Sequence, residues 1–178
     1  LLPLTGANSP LNKVPGFVDP TNVKTGSPVS SGSFPNKKGG LNAPSAGYAA
    51  FSPQFHWDEQ EQLFVGGQFW NGRATDLVEQ AKGPFLNPVE MAMPNEWSVV
   101  SRLKENLLYR YMFKEIYGLN LNEVTAYPWS AKTRPPTPNA VSNIYHHLAK
   151  AISAFEHSRL FNKFDSKRSE DTRLNSSH

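Results

Sequence analysis

The chain has 178 residues, which is enough for one ordinary domain or for a piece of a larger protein. Eleven Phe, six Tyr and four Trp can build a core, whereas fifteen Pro and twelve Gly predict long irregular stretches. A net charge of +3 with scattered basic residues argues against nucleic-acid binding. The absence of cysteine excludes disulfides and thiolate metal sites, and no apolar run approaches the roughly 20 residues of a membrane span.

The N-terminal part is predicted to lack regular structure. Residues 1–50 are rich in Gly, Pro, Ser and Asn, and neither a helical nor a strand period runs through them. Turn-forming pairs such as Pro15-Gly16 and Asp19-Pro20 recur there. We expect residues 1–35 to form a loop, and a loop of that length is unusual unless it wraps a ligand or is disordered.

Two helical segments are predicted in the middle of the chain. A short helix begins near Thr75 or Asp76, either of which can cap free amides, and ends at the Gly83-Pro84 pair. A longer segment has Asn95 as its N-cap and continues, in one piece or two, to Gly118. Its apolar residues recur at helical spacing and predict a buried face: Val99, Val100, Leu103 and Leu107.

A last helix follows, with Thr137 as its predicted N-cap and Pro138 as its first residue. Apolar residues continue through it at steps of three and four: Val141, Ile144, Leu148, Ile152 and Phe155. No alternation of useful length predicts a strand. The fold class is therefore expected to be mainly α.

The C-terminal residues 168–178 are polar except for Leu174. The stretch from Thr172 to His178 resembles the translation of a sequencing-library adaptor, and a natural disordered tail is the alternative. We expect a non-native or disordered tail, and in the first case a native protein that continues past Lys167.

Five short motifs stand in order along the chain: Asn42–Ser45, Phe69–Arg73, Glu79–Ala81, Asn87–Met91 and Ala154–Glu156. Each is weak alone, but in this order and spacing they resemble the bacterial di-haem cytochrome c peroxidases and their MauG relatives. The resemblance implies a cytochrome c-like helical domain with long irregular loops. Residues 1–167 would then be most of the N-terminal, peroxidatic haem domain of a periplasmic enzyme.

The resemblance implies catalytic roles for three residues. Trp70 matches a tryptophan between the two haems that is associated with electron transfer, the alternative being a half-buried core residue. Gln80 matches a glutamine that contacts peroxide or water in the distal pocket, the alternative being a solvent-facing helical residue. Glu90 matches a distal glutamate that moves a proton between the two peroxide oxygens, the alternative being a capping or surface residue.

The resemblance also implies residues that bind cofactors. In addition to Trp70, four residues match positions that line a haem in the family: Phe69, Arg73, Pro84 and Met91. Asn42 matches an asparagine that helps to hold a calcium ion, for which oxygen ligands are suitable. The alternative for Asn42 is a turn residue before Pro44.

The chain departs from the family where haem is attached. The family holds two haems c through Cys-x-x-Cys-His, but residues 7–11 stand in the place of the first motif and contain neither Cys nor His. Either the upstream sequence is faulty or the motif lies before Leu1. A histidine that occupies the sixth iron position in many members is also missing near Phe34. His56, in an insertion at residues 50–68, is a substitute ligand, a pocket residue or merely a packed or exposed side chain.

The resemblance implies an oxidoreductase that reduces hydrogen peroxide to water. Electrons would enter at the C-terminal haem from a small cytochrome or copper protein and cross near Trp70, and the complete protein could be a homodimer. A MauG-type protein oxidase is the alternative enzyme, favoured by the missing loop histidine. A haem-free binding or structural module of the same fold is the alternative outside enzymes. We expect this chain itself to have no peroxidase activity.

Overall fold

The computed structural model describes residues 32–34, 36–41, 43–130, 133 and 135–164. Four α-helices dominate, so the predicted mainly α class is confirmed; they are α1 (Leu77–Leu86), α2 (Glu96–Glu105), α3 (Leu107–Tyr117) and α4 (Asn139–Glu156). Short 3₁₀ turns occur at Ala49–Phe51 and Leu121–Glu123. None of the helices in the described part is long and apolar enough to cross a membrane.

A small antiparallel hairpin was not predicted. Its strands are β1 (His56–Asp58) and β2 (Leu63–Val65), with Trp57 opposite Phe64. Three-residue strands are too short for a period of two to stand out in the sequence. The hairpin lies inside the insertion at residues 50–68.

The core lies between α4 and the helices α1 and α2, which α4 packs against. Its buried apolar residues come from α2 and from the part of the chain that follows it: Val99, Val100, Leu103, Phe113, Leu121, Val124, Val141, Ile144, Tyr145 and Leu148. Val141, Ile144 and Leu148 confirm the helical period predicted for α4. Phe155 does not continue this face, because it lies at the exposed end of α4 and packs edge-on against Phe161.

The start of α1 follows the prediction, but its end does not. The Asp76 side chain caps the helix by accepting a hydrogen bond from the Glu79 amide at 2.9 Å. In return, the Thr75 amide donates to the Glu79 carboxylate and lowers the pKa of that carboxyl. The predicted end at the Gly83-Pro84 pair is wrong, since α1 continues through Pro84 to Leu86.

The helices α2 and α3 are separated at Asn106. As predicted, Asn95 caps α2, and it forms a reciprocal capping box with Ser98. The backbone of Asn106 is extended, and its side chain accepts a hydrogen bond from Leu108 N that starts α3. Leu107 therefore begins a new helix and is 73% exposed, so the prediction that it extends the buried face of α2 is wrong. Gly118 ends α3 in the left-handed conformation, as predicted.

The N-terminus of α4 lies one residue later than predicted. Pro138 is the N-cap, with an extended ψ of 145°, and Asn139 is the first helical residue. Proline in this place sets φ at the helix entrance but offers no side-chain acceptor.

Tyr145 connects the core to α1. Its ring is almost completely buried and meets Phe85 edge-on, while its hydroxyl donates to the Lys82 carbonyl at 2.5 Å. Burial, with a contribution from the Glu96 charge, raises the pKa of Tyr145, so the hydroxyl remains a donor at all ordinary pH values.

We predict that Tyr145→Phe lowers the free energy of unfolding by about 1 kcal/mol, the typical net worth of one hydrogen bond. Urea denaturation of the full chain measures this. The matched control is Tyr111→Phe on the exposed side of α3, which should leave stability unchanged. Equal stability of the two variants would contradict the role given to the hydroxyl.

Candidate functional site

Trp70 stands at the tip of a loop whose base is buried. The Gln68 amide donates to the Ala74 carbonyl at 2.7 Å and closes the loop, and both residues are buried. Gly67 and Gly72 turn the backbone with positive φ values that favour glycine. Trp70 is 69% exposed, which is unusual for so large an apolar side chain and argues against the core alternative.

Phe69 and Arg73 fix this loop, the Trp70 loop (residues 68–74), against α1. The Arg73 guanidinium carbon lies 3.5 Å from the centre of the Phe69 ring, a cation–π distance. The same ring lies beside Gly83 of α1, where a Cβ would be 3.5 Å from it, an ordinary van der Waals contact. The Phe69 ring therefore packs near the helix.

Gln80 and Pro84 lie one turn apart on α1, and both are half-buried. Because residues four apart in a helix share a face, their side chains project from the same side of α1. The structure thus places Gln80 in a helix, as predicted, but in a partly buried position rather than a solvent-facing one.

Glu90 lies in the loop that follows α1, and Asn87 holds its side chain. The Asn87 amide donates to Glu90 Oε1 at 2.8 Å, while Asn87 Oδ1 accepts from the Val89 amide at 3.1 Å. The Asn87 carbonyl accepts from the Glu90 and Ala92 amides at 3.0 and 2.9 Å. Asn87 therefore sets both the backbone and the carboxylate of Glu90.

The same loop caps the C-terminus of α1. The Met91 amide donates to the Pro84 carbonyl at 3.2 Å, and the Met93 amide donates to the Phe85 carbonyl at 2.9 Å. These are carbonyls that a helix end leaves without an intrahelical partner. The capping brings the backbones of Pro84 and Met91, two predicted haem-lining residues, into contact.

A second segment covers the Glu90 loop, which comprises residues 87–93. The Ser33 amide donates to the Glu90 carbonyl at 2.7 Å. Gly32 is buried so close to Val89 that a Cβ there would lie 2.2 Å from the Val89 carbonyl oxygen. Only glycine fits this approach.

No role was predicted for Asn87 or Gly32. Asn87 is the first residue of the Asn87–Met91 motif, and an Asn after a helix and before Pro88 is a signal for local side-chain capping. Gly32 lay in a region where many glycines occur, so no signal in a single sequence could distinguish it.

The prediction that His56 is a ligand or a pocket residue is not supported by its place in the structure. His56 is exposed on the hairpin, with Nδ1 2.7 Å from the Gln54 carbonyl oxygen, which fits the alternative of an exposed side chain. Asn42 lies outside the described residues. Within the described part of the chain, no group of three or more His, Asp or Glu side chains is arranged to hold a metal ion.

The predicted residues thus form two contact pairs near α1: Phe69 with Arg73 in the Trp70 loop, and Pro84 of α1 with Met91 of the Glu90 loop. Gln80 lies on the same helix, Glu90 lies in the loop that caps it, and Trp70 projects from the loop anchored on it. One short helix positions every predicted catalytic residue.

The chain is similar to known proteins along most of its length. A protein-family model described as di-haem cytochrome c peroxidase matches residues 13–173. Methylamine utilization protein MauG from Paracoccus denitrificans is 38% identical over 151 residues, which is 85% of this chain and 35% of that protein. Cytochrome c551 peroxidase from Nitrosomonas europaea is 49% identical over 53 residues, covering 29% of this chain and 15% of that protein.

The fold is also similar to a solved structure, the diheme peroxidase BthA from Burkholderia thailandensis. The TM-score is 0.64 at 23% identity, covering 84% of this chain and 32% of that one. The chain therefore spans about a third of the length of MauG and of this peroxidase. Because the family model matches nearly all of the chain, the chain belongs to the di-haem cytochrome c peroxidase family.

Proposed function

We propose that residues 1–167 are most of the N-terminal, peroxidatic domain of a longer, periplasmic di-haem enzyme. This enzyme reduces hydrogen peroxide to water with electrons from a small cytochrome or copper protein. The observation that carries the proposal is the Asn87–Glu90 hydrogen bond, which fixes a carboxylate beside the helix that bears Gln80. A calcium ion at Asn42 and homodimerisation of the complete protein stay predictions.

The described residues fit one side of a haem but not its attachment. Trp70, Phe69, Pro84 and Met91 offer exposed or half-buried apolar surface suited to a large flat ring. Thioether bonds need cysteine, which this chain lacks, so it cannot hold haem c covalently. When bound, haem iron supplies the redox chemistry, and the protein supplies orientation and proton handling.

One carboxylate oxygen of Glu90 is held by a hydrogen bond, and the other is available to a substrate. Oε1 accepts the Asn87 hydrogen bond, while no described residue donates to Oε2. Oε2 is therefore the atom that would take a proton from one peroxide oxygen and return it to the other, as general base and then acid. The Gln80 amide can donate to one peroxide oxygen and accept from the other, which would orient the substrate.

A MauG-type protein oxidase is the second candidate. The match to MauG extends over 151 residues, whereas the match to the Nitrosomonas peroxidase extends over 53. Phe34 occupies the predicted place of the loop histidine and is exposed. Both candidates would use the same proton-handling residues, so activity assays with each substrate class distinguish them.

We predict that Glu90→Gln in a complete, haem-loaded parent protein lowers peroxide turnover by about 10²- to 10⁴-fold, the usual contribution of a general acid–base group. The amide keeps the shape of the side chain but cannot carry the proton. Stopped-flow kinetics with peroxide measure the effect. Glu115→Gln, on the exposed side of α3, is the control, and unchanged turnover in Glu90→Gln would remove Glu90 from the mechanism.

We predict that Asn87→Ala loosens the Glu90 loop, because it removes two hydrogen bonds worth about 1 kcal/mol each. Hydrogen exchange of the Met91 and Met93 amides should become about tenfold faster or more in the full chain. Asn71→Ala, which removes an acceptor for Arg73 in the Trp70 loop, should leave these amides unchanged. Equal protection in both variants would show that Asn87 does not position Glu90.

We predict that this chain, expressed with a cytochrome c maturation system, carries no covalent haem and has no peroxidase activity. An in-gel haem stain and a pyridine haemochrome spectrum test this directly. Covalent haem would contradict the prediction and would mean that the sequence at residues 7–11 is misread. A complete gene without any Cys-x-x-Cys-His would instead support the haem-free module.

A further inference from the structure

The segment that covers the Glu90 loop is a small turn, which we call the Gly32 turn (residues 32–34, 36 and 37). The Gly32 amide donates to the Lys37 carbonyl at 2.7 Å, and the Lys37 amide donates to the Phe34 carbonyl at 3.2 Å. Asn36 has a φ of 63°, in the left-handed region that asparagine enters more readily than most residues. The turn is therefore closed by its own backbone hydrogen bonds.

The Gly32 turn meets the Glu90 loop backbone to backbone. The Ser33 amide donates to the Glu90 carbonyl at 2.7 Å. A Cβ on Gly32 would lie 2.2 Å from the Val89 carbonyl oxygen, 2.8 Å from the Val89 carbonyl carbon and 3.0 Å from the Glu90 carbonyl oxygen. Because all three are main-chain atoms, they cannot rotate aside as the end of a long side chain can. Alanine at position 32 must therefore displace either the turn or the Glu90 loop.

Space, rather than backbone conformation, requires glycine at this position. Gly32 is buried and does not have a positive φ, so a side chain would be acceptable there if there were room for it. Gly40 is a natural comparison, since it also lacks a positive φ but is exposed, and a Cβ on it would meet nothing within 4 Å. The two glycines differ in the contact with Val89 and Glu90.

Glu90 is thus held from two directions. Within its own loop, the Asn87 carbonyl accepts from the Glu90 amide at 3.0 Å, and the Asn87 side chain donates to Glu90 Oε1 at 2.8 Å. From outside the loop, Ser33 donates to the Glu90 carbonyl. A residue fixed at its amide, its carbonyl and its carboxylate has little freedom left, and a misplacement of about 1 Å in a catalytic group can cost on the order of 10²-fold in rate.

We propose that Gly32 is a positioning residue for Glu90. It acts by letting the Gly32 turn lie on the backbone of Val89 and Glu90, which keeps the Glu90 carboxylate where Asn87 can hold it. The inference rests on the proposed function, in which Glu90 handles the proton, and deepens it by naming a second element that sets this carboxylate. The contact itself forms without haem, so the two proposals can fail separately.

The first test uses the full chain and compares Gly32→Ala with Gly40→Ala by NMR. In Gly32→Ala, we expect hydrogen exchange of the Ser33 amide to become about tenfold faster or more, because its acceptor on Glu90 is displaced. The side-chain amide protons of Asn87 should move towards the resonance of a free amide, because the carboxylate leaves them. Gly40→Ala should keep both signals within about twofold and at their original positions.

Folding of the variants is checked by circular dichroism. The central core lies between Val99 and Leu148, so we expect Gly32→Ala to stay folded. If it does not, Ser33→Pro gives a second route, since it removes the amide that donates to Glu90 without adding a Cβ at position 32. The Asn87 side-chain resonances should then shift in the same direction.

The second test is a double-mutant cycle in a complete, haem-loaded parent protein. Gly32→Ala should lower kcat for peroxide about tenfold or more, whereas Gly40→Ala should stay within about twofold. In a Glu90→Gln background, Gly32→Ala should cause no further loss, because its effect passes through the Glu90 carboxylate. A merely structural role would lower kcat by the same factor in both backgrounds.

Two results would overturn the proposal: the same Ser33 exchange and Asn87 resonances in Gly32→Ala as in Gly40→Ala, or the same loss of kcat with and without Glu90. Unchanged turnover in Glu90→Gln alone would instead reject the proposed function. The NMR comparison in this chain would in that case still decide whether Gly32 sets the position of Glu90.

Discussion

The structure depends on how the last carbonyl groups of α1 find hydrogen-bond donors. Pro84 cannot donate to a carbonyl one turn earlier, and the last carbonyls of any helix lack intrahelical donors. Donors for two of the last carbonyls come from the returning chain, whose Met91 and Met93 amides reach the Pro84 and Phe85 carbonyls. The position of Glu90 follows, because it lies inside that returning loop and cannot move without breaking the cap.

The core supports this arrangement from the other side of α1. Tyr145 of α4 is buried in the central cluster and reaches the Lys82 carbonyl with its hydroxyl, so the largest buried side chain holds the helix that bears the candidate site. The Trp70 loop lies on the same helix through Phe69 and Gly83. Movements of α1 would therefore displace Gln80, Glu90 and Trp70 together.

The sequence correctly predicted the structural features that depend only on neighbouring residues. Asp76, Asn95 and Gly118 act as helix caps because capping needs only neighbouring residues. The end of α1 was predicted wrongly because the return of the Glu90 loop makes contacts beyond one helical turn. Leu107 was predicted wrongly because apolar spacing continues across Asn106, whereas the extended backbone at Asn106 starts a new helix. The family resemblance identified Trp70, Gln80 and Glu90, but the role of Asn87 required the fold.

The two halves of the proposed haem site have different physical origins in this chain. The half proposed to handle protons is made by backbone capping and by one amide–carboxylate hydrogen bond. The attachment half is covalent chemistry, which requires cysteine side chains that the sequence does not contain. Family membership rests on the match of the family model to residues 13–173. The held carboxylate and the capped helix can therefore be present in a chain of this family that cannot itself bind haem covalently.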